Sequence, residues 1–148
     1  MITEDYVSFE TAKLLKEKGF SVKCSTYYIH GGINSRGETT TNFHNNGETF
    51  AINFNDYINE LYSYLDYYSA PTLQMAMKWL REVHKLYVEI VPNPFNFEHQ
   101  DIQDGWGCEV THLSDLSYDG NYEFFQKKYS TYEEACEAAI KYCLENLI

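Results

Sequence analysis

The sequence predicts an α+β fold, in which one antiparallel sheet of about four to five strands carries three helices mainly on one face. Three segments place apolar residues at α-helical spacing, two others alternate apolar and polar residues as β-strands do, and three more are interpreted as strands. Strand segments follow one another without an intervening helix, which favours antiparallel pairing. A length of 148 residues, with no internal repeat and no Pro/Ser-rich linker, indicates a single domain over residues 1–148.

The first helix is predicted from about Phe9 to Lys18. Ser8 is a good N-cap, and Val7 and Ala12 have the spacing of a hydrophobic staple. Gly19 can adopt the left-handed conformation that ends many helices.

The last helix is predicted to begin with a capping box, because Thr131 is followed three residues later by Glu134. One face of this helix is apolar and is predicted to belong to the core: Tyr132, Cys136, Ala139, Ile140, Cys143 and Leu147.

The middle helix is predicted to start with Pro71 in its first turn and Ser69 or Ala70 as its cap. Its apolar arc comprises Leu73, Ala76, Met77, Trp79, Leu80, Val83 and His84. The imidazole of His84 within this arc must either find a hydrogen-bond partner or lose its charge. Either a structural or a functional histidine fits this position.

Five segments are predicted to be strands: Ser21–Ile29, Glu48–Phe54, Lys85–Pro92, Trp106–Leu113 and Tyr122–Tyr129. The first two are joined by the polar segment His30–Gly47, which is too long for a tight turn and is interpreted as an exposed long hairpin or a mobile loop. Residues 55–68 fit either a helix or a strand, since apolar spacing favours the former and tyrosine content the latter.

The composition is globular but strongly acidic, with 22 acidic against 11 basic residues and a formal net charge of −11. Such a surface disfavours direct binding to a phosphate backbone and indicates either solubility or a basic protein partner. The N-terminal residues lack the pattern of a secretory signal, and no stretch has the length of a membrane span. The expected location is therefore the cytoplasm, with the four cysteines as buried thiols.

Known chemical motifs are absent from the sequence. No His/Cys spacing suits zinc, residues 99–105 do not match a calcium loop, and neither phosphate-binding glycine motif occurs, so no metal or cofactor is predicted. The glycines around Arg36 are a candidate anion site, or else belong to an ordinary flexible loop. With no catalytic pair to select among the carboxylates, the protein is not predicted to be an enzyme.

Three stretches carry a resemblance: "VSFETAKLLKEKGF", "SAPTLQMAMKWLREVHKLYVEI" and "YSTYEEACEAAIKYCLENLI". In these, about half of the chain, the sequence resembles small uncharacterised proteins of gut Bacteroidales and of their phages and prophages. The resemblance implies an α+β fold and a phage or mobile-element context inside a bacterial host cell. It implies no activity, because none is known for the group.

The charge is distributed unevenly. From Leu86 to Gln126 there is no Lys or Arg, whereas eight acidic residues occur there, interleaved with aromatic residues. This pattern suits a protein-binding patch, or alternatively a solvated sheet edge whose aromatic rings point inward. The candidate partner-binding residues are Phe95, Phe97, Glu98, Asp101 and Asp104.

The favoured functional hypothesis is a non-enzymatic, phage-type accessory protein that binds a host or phage protein through its acidic surface. The alternative is a protein that binds a small, nucleotide-like ligand with the 30–47 segment. The candidate ligand-binding residues are His30, Arg36, His44 and His84.

Overall fold

The computed structural model describes residues 2–47, 50–96, 98–102, 104–117, 122–124 and 128–148. The chain divides into two compact units: Tyr6–Thr72, and Met1–Asp5 together with Leu73–Ile148. We call them the first and the second unit. Both combine helix with antiparallel strands, so the predicted α+β class is confirmed. In the described residues the strands are divided between two three-stranded sheets and a two-stranded one, instead of joining in one sheet.

The first unit contains one α-helix, three strands and a single 3-10 turn among its described residues. These are α1 (Phe9–Glu17), β1 (Thr26–Ile33), β2 (Thr39–Asn45), the 3-10 turn (Phe54–Asp56) and β3 (Asp66–Ser69). The strands form an antiparallel sheet in the order β2-β1-β3, and α1 packs on β3.

The ends of α1 confirm the predicted signals. The Ser8 hydroxyl accepts a hydrogen bond from the backbone N–H of Thr11 at 3.2 Å, as an N-cap does. At the other end Gly19 has a φ of +84°, and the N–H of Phe20 donates to the carbonyl of Leu15 at 2.9 Å. This left-handed glycine and long backward bond form a Schellman ending, which satisfies carbonyls that the helix leaves free.

The strands of the first unit differ from the prediction. β1 extends to Ile33 instead of ending at Ile29, and the Thr-rich residues Thr39–Asn45 pair with it, so the 30–47 segment is a long hairpin. The predicted strand Glu48–Phe54 is wrong where it is described, because residues 50–54 contribute one isolated bridge and enter the 3-10 turn. Phe54 is buried there and stacks on Tyr27 at 3.9 Å, which fixes the turn instead of a strand. The uncertain residues 55–68 form no α-helix and end in β3.

The second unit contains two helices and five strands among its described residues. These are α2 (Leu73–His84), β4 (Leu86–Pro92), β5 (Phe95–Asn96), β6 (Asp101–Ile102), β7 (Trp106–His112), β8 (Tyr122–Phe124) and α3 (Tyr132–Asn146). β4, β7 and β8 form an antiparallel sheet in that order, while β5 and β6 pair with each other. Helices α2 and α3 pack on each other and on β4 and β7.

Helix α2 begins at Leu73, so Pro71 precedes the helix instead of occupying its first turn. Most of its predicted apolar arc is buried, namely Leu73, Ala76, Met77, Trp79 and Leu80. The prediction is wrong for Val83, whose exposed fraction is 58%. Val83 has the direction of the buried face but lies in the last turn, one residue before the helix ends.

Helix α3 has the predicted capping box. The Thr131 hydroxyl accepts from the N–H of Glu134, and the Glu134 carboxylate accepts from the N–H of Ser130, both at 3.1 Å. Its buried residues are Ala135, Cys136, Ala139, Ile140, Cys143 and Leu144. The predicted strand Tyr122–Tyr129 is described at 122–124, where it is β8, and at Tyr129, which forms a bridge with Trp106.

Candidate protein-binding site

A small hairpin of the second unit carries most of the predicted patch. We call β5, β6 and the described residues 98–100 the acidic hairpin. Phe95 lies directly opposite Ile102, and both are exposed, at 41% and 72%. Glu98 and Asp101 are also exposed. The acidic hairpin therefore carries both an exposed apolar pair and exposed carboxylates.

The base of the acidic hairpin is fixed against β7. Pro94 is buried, and a Cβ added to Gly107 would lie 2.8 Å from its Cβ, so Gly107 permits this close packing. The N–H of Asn93 donates to the carbonyl of Gly105 at 2.8 Å, across the two ends of the segment. The base of the hairpin is thus held by a packing contact and a backbone hydrogen bond.

A cleft of about 490 Å³ lies beside this base. Its lining residues are Pro92, Asn93, Asp104, Gly105, Trp106, Lys128, Tyr129 and Ser130. Trp106 and Tyr129 exchange backbone hydrogen bonds of 2.8 and 2.7 Å, and Gly105 has a φ of +118°. A Cβ on Gly105 would lie 2.6 Å from the Tyr129 carbonyl oxygen, so glycine is required there. The lining thus includes one carboxylate, Asp104, one ammonium, Lys128, and the indole of Trp106.

The two units differ in charge. The second unit has fifteen acidic and six basic residues, whereas the first has seven and five. Near the sheet, hydrogen bonds from the Ser117 hydroxyl and N–H lower the pKa of Asp115, which holds this carboxyl ionised. The net charge of the second unit is therefore negative.

The structure brings together three of the predicted patch residues, Phe95, Glu98 and Asp101, on the acidic hairpin, and Asp104 lies nearby in the cleft. Phe97 lies outside the described residues. Ile102 was missed by the sequence analysis, although it is the one large apolar residue between Glu98 and Gly105.

The candidate ligand residues His30 and His44 are not brought together. His30 lies opposite Thr41 and His44 opposite Tyr27 in the β1–β2 ladder. Because side chains alternate along a strand, the two imidazoles lie on opposite faces of the sheet. The Nδ1 of His30 and the Thr41 hydroxyl form a hydrogen bond of 2.7 Å, so that ring already has a polar partner.

Arg36 lies in the exposed turn of the β1–β2 hairpin. The side-chain oxygen of Asn34 accepts hydrogen bonds from the N–H groups of Arg36 and Glu38, at 2.9 and 3.0 Å. The carbonyl of Asn34 accepts from the N–H of Gly37 at 3.0 Å. The backbone donors that an anion would need are therefore already used.

His84 belongs to the second unit and ends α2. Its Nε2 is buried without a hydrogen-bond partner among the described residues, and its ring meets Trp79 edge-on at 4.5 Å. Burial lowers the pKa of His84, so the imidazole is neutral at neutral pH. Of the two outcomes predicted for this residue, it loses its charge.

The cysteines and the polar clusters offer little chemistry in the described part of the chain. None of the four cysteines forms a disulfide and all are buried, and burial raises the pKa of Cys108 to about 12 and that of Cys136 to about 11. Such thiols stay protonated and are poor nucleophiles. No group of His, Cys, Asp and Glu suited to a metal ion occurs among the described residues. None of the described helices has both the length and the apolar character needed to cross a bilayer.

Comparison of the chain with protein-family models, with curated proteins and with solved structures gives no match.

Proposed function

We propose that the protein is a non-enzymatic accessory protein that binds a basic segment of a host or phage protein through the acidic hairpin and the adjoining cleft. The observation that carries the proposal is the Phe95–Ile102 pair, which is exposed on a hairpin that also carries exposed carboxylates. The phage context and a location in the cytoplasm of a bacterial host are part of the proposal, and they are supported by the resemblance in three sequence stretches.

The apolar pair supplies the area that stabilises the complex. Phe95 and Ile102 lie directly across the two strands of the acidic hairpin, so one apolar side chain of a partner can contact both. Fully burying an exposed apolar side chain contributes roughly 1.5–3 kcal/mol. Phe95 and Ile102 are 41% and 72% exposed, so each can contribute part of this when a partner covers them. Aromatic anchors of this kind dominate many protein interfaces.

The carboxylates supply the choice of partner. Glu98 and Asp101 add negative charge to the acidic hairpin and Asp104 adds it to the adjoining cleft, in a unit that is acidic as a whole. A partner rich in Lys or Arg is attracted by this field, whereas an acidic partner or a nucleic acid is repelled. The preferred ligand is therefore an extended protein segment that combines basic and apolar residues.

The test is selection from a random-peptide library on the immobilised protein at low salt. Wild type should enrich peptides that contain both Lys or Arg and an apolar residue. Reversing Glu98, Asp101 and Asp104 to Lys should lower the association rate of these peptides at least about tenfold, because exposed charges act mainly on the encounter. The same peptides should bind wild type more slowly as salt rises.

The matched control reverses Glu10, Glu17 and Glu60, three exposed carboxylates of the first unit. This variant has the same change in net charge, so it separates a local site from the total charge. A second control, Phe95→Ser with Ile102→Ser, should raise the dissociation rate without changing the salt dependence. Equal peptide binding by both triple reversals, or selection of peptides without basic residues, would contradict the proposal.

A further inference from the structure

The first sheet has two edges, and one of them is closed by side chains. At β3 the Lys16 ammonium donates to the carbonyl of Tyr67 at 3.0 Å, and the Asn55 side-chain oxygen accepts from the N–H of Ser69 at 2.9 Å. The backbone groups of Tyr67 and Ser69 point away from β1. The N–H of Ala70 donates to the Thr26 carbonyl of the neighbouring strand, and inward and outward residues alternate along β3. The β3 edge is therefore protected from pairing with another chain.

The other edge, β2, is open. Just beyond one end of β2, the N–H of Asn46 donates to the carbonyl of Ser25, which directly precedes β1. Beyond the other end, the N–H of Asn34 donates to the carbonyl of Glu38 in the turn. Along β2, residues whose backbone groups face β1 alternate with residues whose backbone groups face outward. The hydrogen bonds at Asn46 and Glu38 fix the phase of this alternation, so residues 40, 42 and 44 face β1. The backbone groups of Thr39, Thr41, Phe43 and Asn45 point outward and have no partner among the described residues.

The side chains of β2 do not protect this edge. All its residues except Thr40 are exposed, and the sequence "TTTNFHN" contains no Lys, Glu, Asp or Pro. Natural edge strands usually carry such residues, as β4 does with Glu89 and Pro92. The chain has a net charge of −11, but the seven residues of β2 carry no acidic or basic side chain of Asp, Glu, Lys or Arg. Two copies can therefore approach along β2 without like charges facing each other.

The outward groups of β2 are also complementary to themselves. When two β2 strands pair antiparallel with Asn42 opposite Asn42, Thr41 faces Phe43 of the other copy and Thr39 faces Asn45. All four outward positions are then used, which gives about eight backbone hydrogen bonds. The Thr41–Phe43 pair is a favourable β-branched and aromatic combination.

We propose that two copies of the chain associate through antiparallel pairing of their β2 strands, with the twofold axis at Asn42. The two sheets then form one continuous six-stranded sheet. Two strands of about 24 Å bury less than the ~1,200 Å² of a stable complex, so the dimer is weak and depends on concentration. This interaction lies in the first unit and does not depend on the acidic hairpin.

The first test uses charge at the twofold axis. In sedimentation velocity over about a hundredfold concentration range, wild type should shift from monomer to dimer. Asn42→Asp and Asn42→Lys should each raise the dissociation constant at least about threefold, because like charges then face each other. An equal mixture of the two variants should dimerise at least as well as wild type. Thr39→Asp adds the same charge away from the axis and should have a smaller effect.

The second test compares neighbouring amides within one strand. At high protein concentration, hydrogen exchange of the Thr41, Phe43 and Asn45 amides should slow, while Asn42 and His44 are already protected by β1 and should change little. A monomer at all concentrations, unchanged exchange at the outward amides, or no recovery in the Asn42→Asp and Asn42→Lys mixture would overturn the proposal. Circular dichroism of each variant checks that the fold is retained.

Discussion

Replacing Leu80 with Ala should destabilise the second unit strongly. Leu80 is fully buried on α2, between the sheet and α3 that pack on that helix. The substitution removes three carbon atoms, which lowers the free energy of unfolding by about 2.4 kcal/mol through lost apolar transfer. The cavity left behind raises the total to ~3–4 kcal/mol, within the usual range for such changes.

The assay is urea unfolding followed by the fluorescence of Trp79, which is buried on the same helix. For a chain of this length the expected loss corresponds to a decrease in Tm of roughly 6–15 °C. Val83→Ala is the matched control, because Val83 points in the direction of the buried face but is 58% exposed. It should change the free energy of unfolding by less than about 0.5 kcal/mol. Comparable losses in the two variants, or a loss below about 0.5 kcal/mol for Leu80→Ala, would refute the assigned core face of α2.

Three further predictions concern protonation, thiols and backbone strain. Burial lowers the pKa of His84 relative to the unfolded chain, so the unfolded state binds more protons below about pH 6.5. Wild type should therefore lose stability from pH 7 to 5 faster than His84→Gln does, and parallel pH profiles of the two proteins would contradict this. The affinity of His84→Gln for the selected peptides should stay within about threefold of the wild-type value. Burial raises the pKa of Cys24 and Cys136 to about 11 and that of Cys108 to about 12. A thiol reagent at pH 8 should therefore react slowly with the native protein and rapidly with the protein in denaturant. If the native protein reacted at the rate of free cysteine, an accessible thiolate would be present. Gly31→Ala should lower Tm more than Gly37→Ala does. Gly31 and Gly37 both have a positive φ, but only at Gly31 would an added Cβ lie 2.6 Å from the Tyr64 carbonyl oxygen. Equal Tm values of the two variants would argue against that close approach.

The helices were predictable because their signals are local. Ser8, Gly19 and Thr131 act within a few residues of themselves, so a cap can be read from the sequence without knowledge of the fold. Val83 shows the limit of this approach. Its angular position on α2 is that of the core, but its exposure depends on how far along the helix the neighbouring elements reach.

The strands of the first unit were harder because pairing is not local. Thr39–Asn45 contains threonines that favour a strand, yet the surrounding glycines and asparagines indicate a loop, and only pairing with β1 decides between them. The faces of His30 and His44 follow from the same pairing. A bulge between His30 and Gly32 shifts the register, which alternation within the sequence does not reveal.

The charge of the candidate site and Phe95 could be predicted, but Ile102, the other half of the apolar pair, could not. The absence of Lys and Arg from Leu86 to Gln126 is a property of the sequence alone. The position of Ile102 opposite Phe95 depends on two strands of two residues each, which are too short to show a period. Charge thus located the region, and pairing located the contact within it.

Salt should affect the two proposed interactions in opposite directions. Binding of a basic segment to the acidic hairpin depends on attraction between exposed charges, so screening within a Debye length of ~8 Å weakens it. Pairing of two β2 strands depends on backbone hydrogen bonds and brings together two chains of charge −11, so screening reduces repulsion and strengthens it. A single salt series that follows peptide binding and sedimentation in the same samples therefore separates the surfaces. If both interactions weakened together as salt rose, the dimer would also depend on opposite charges, and β2, which carries none, would be excluded as its interface.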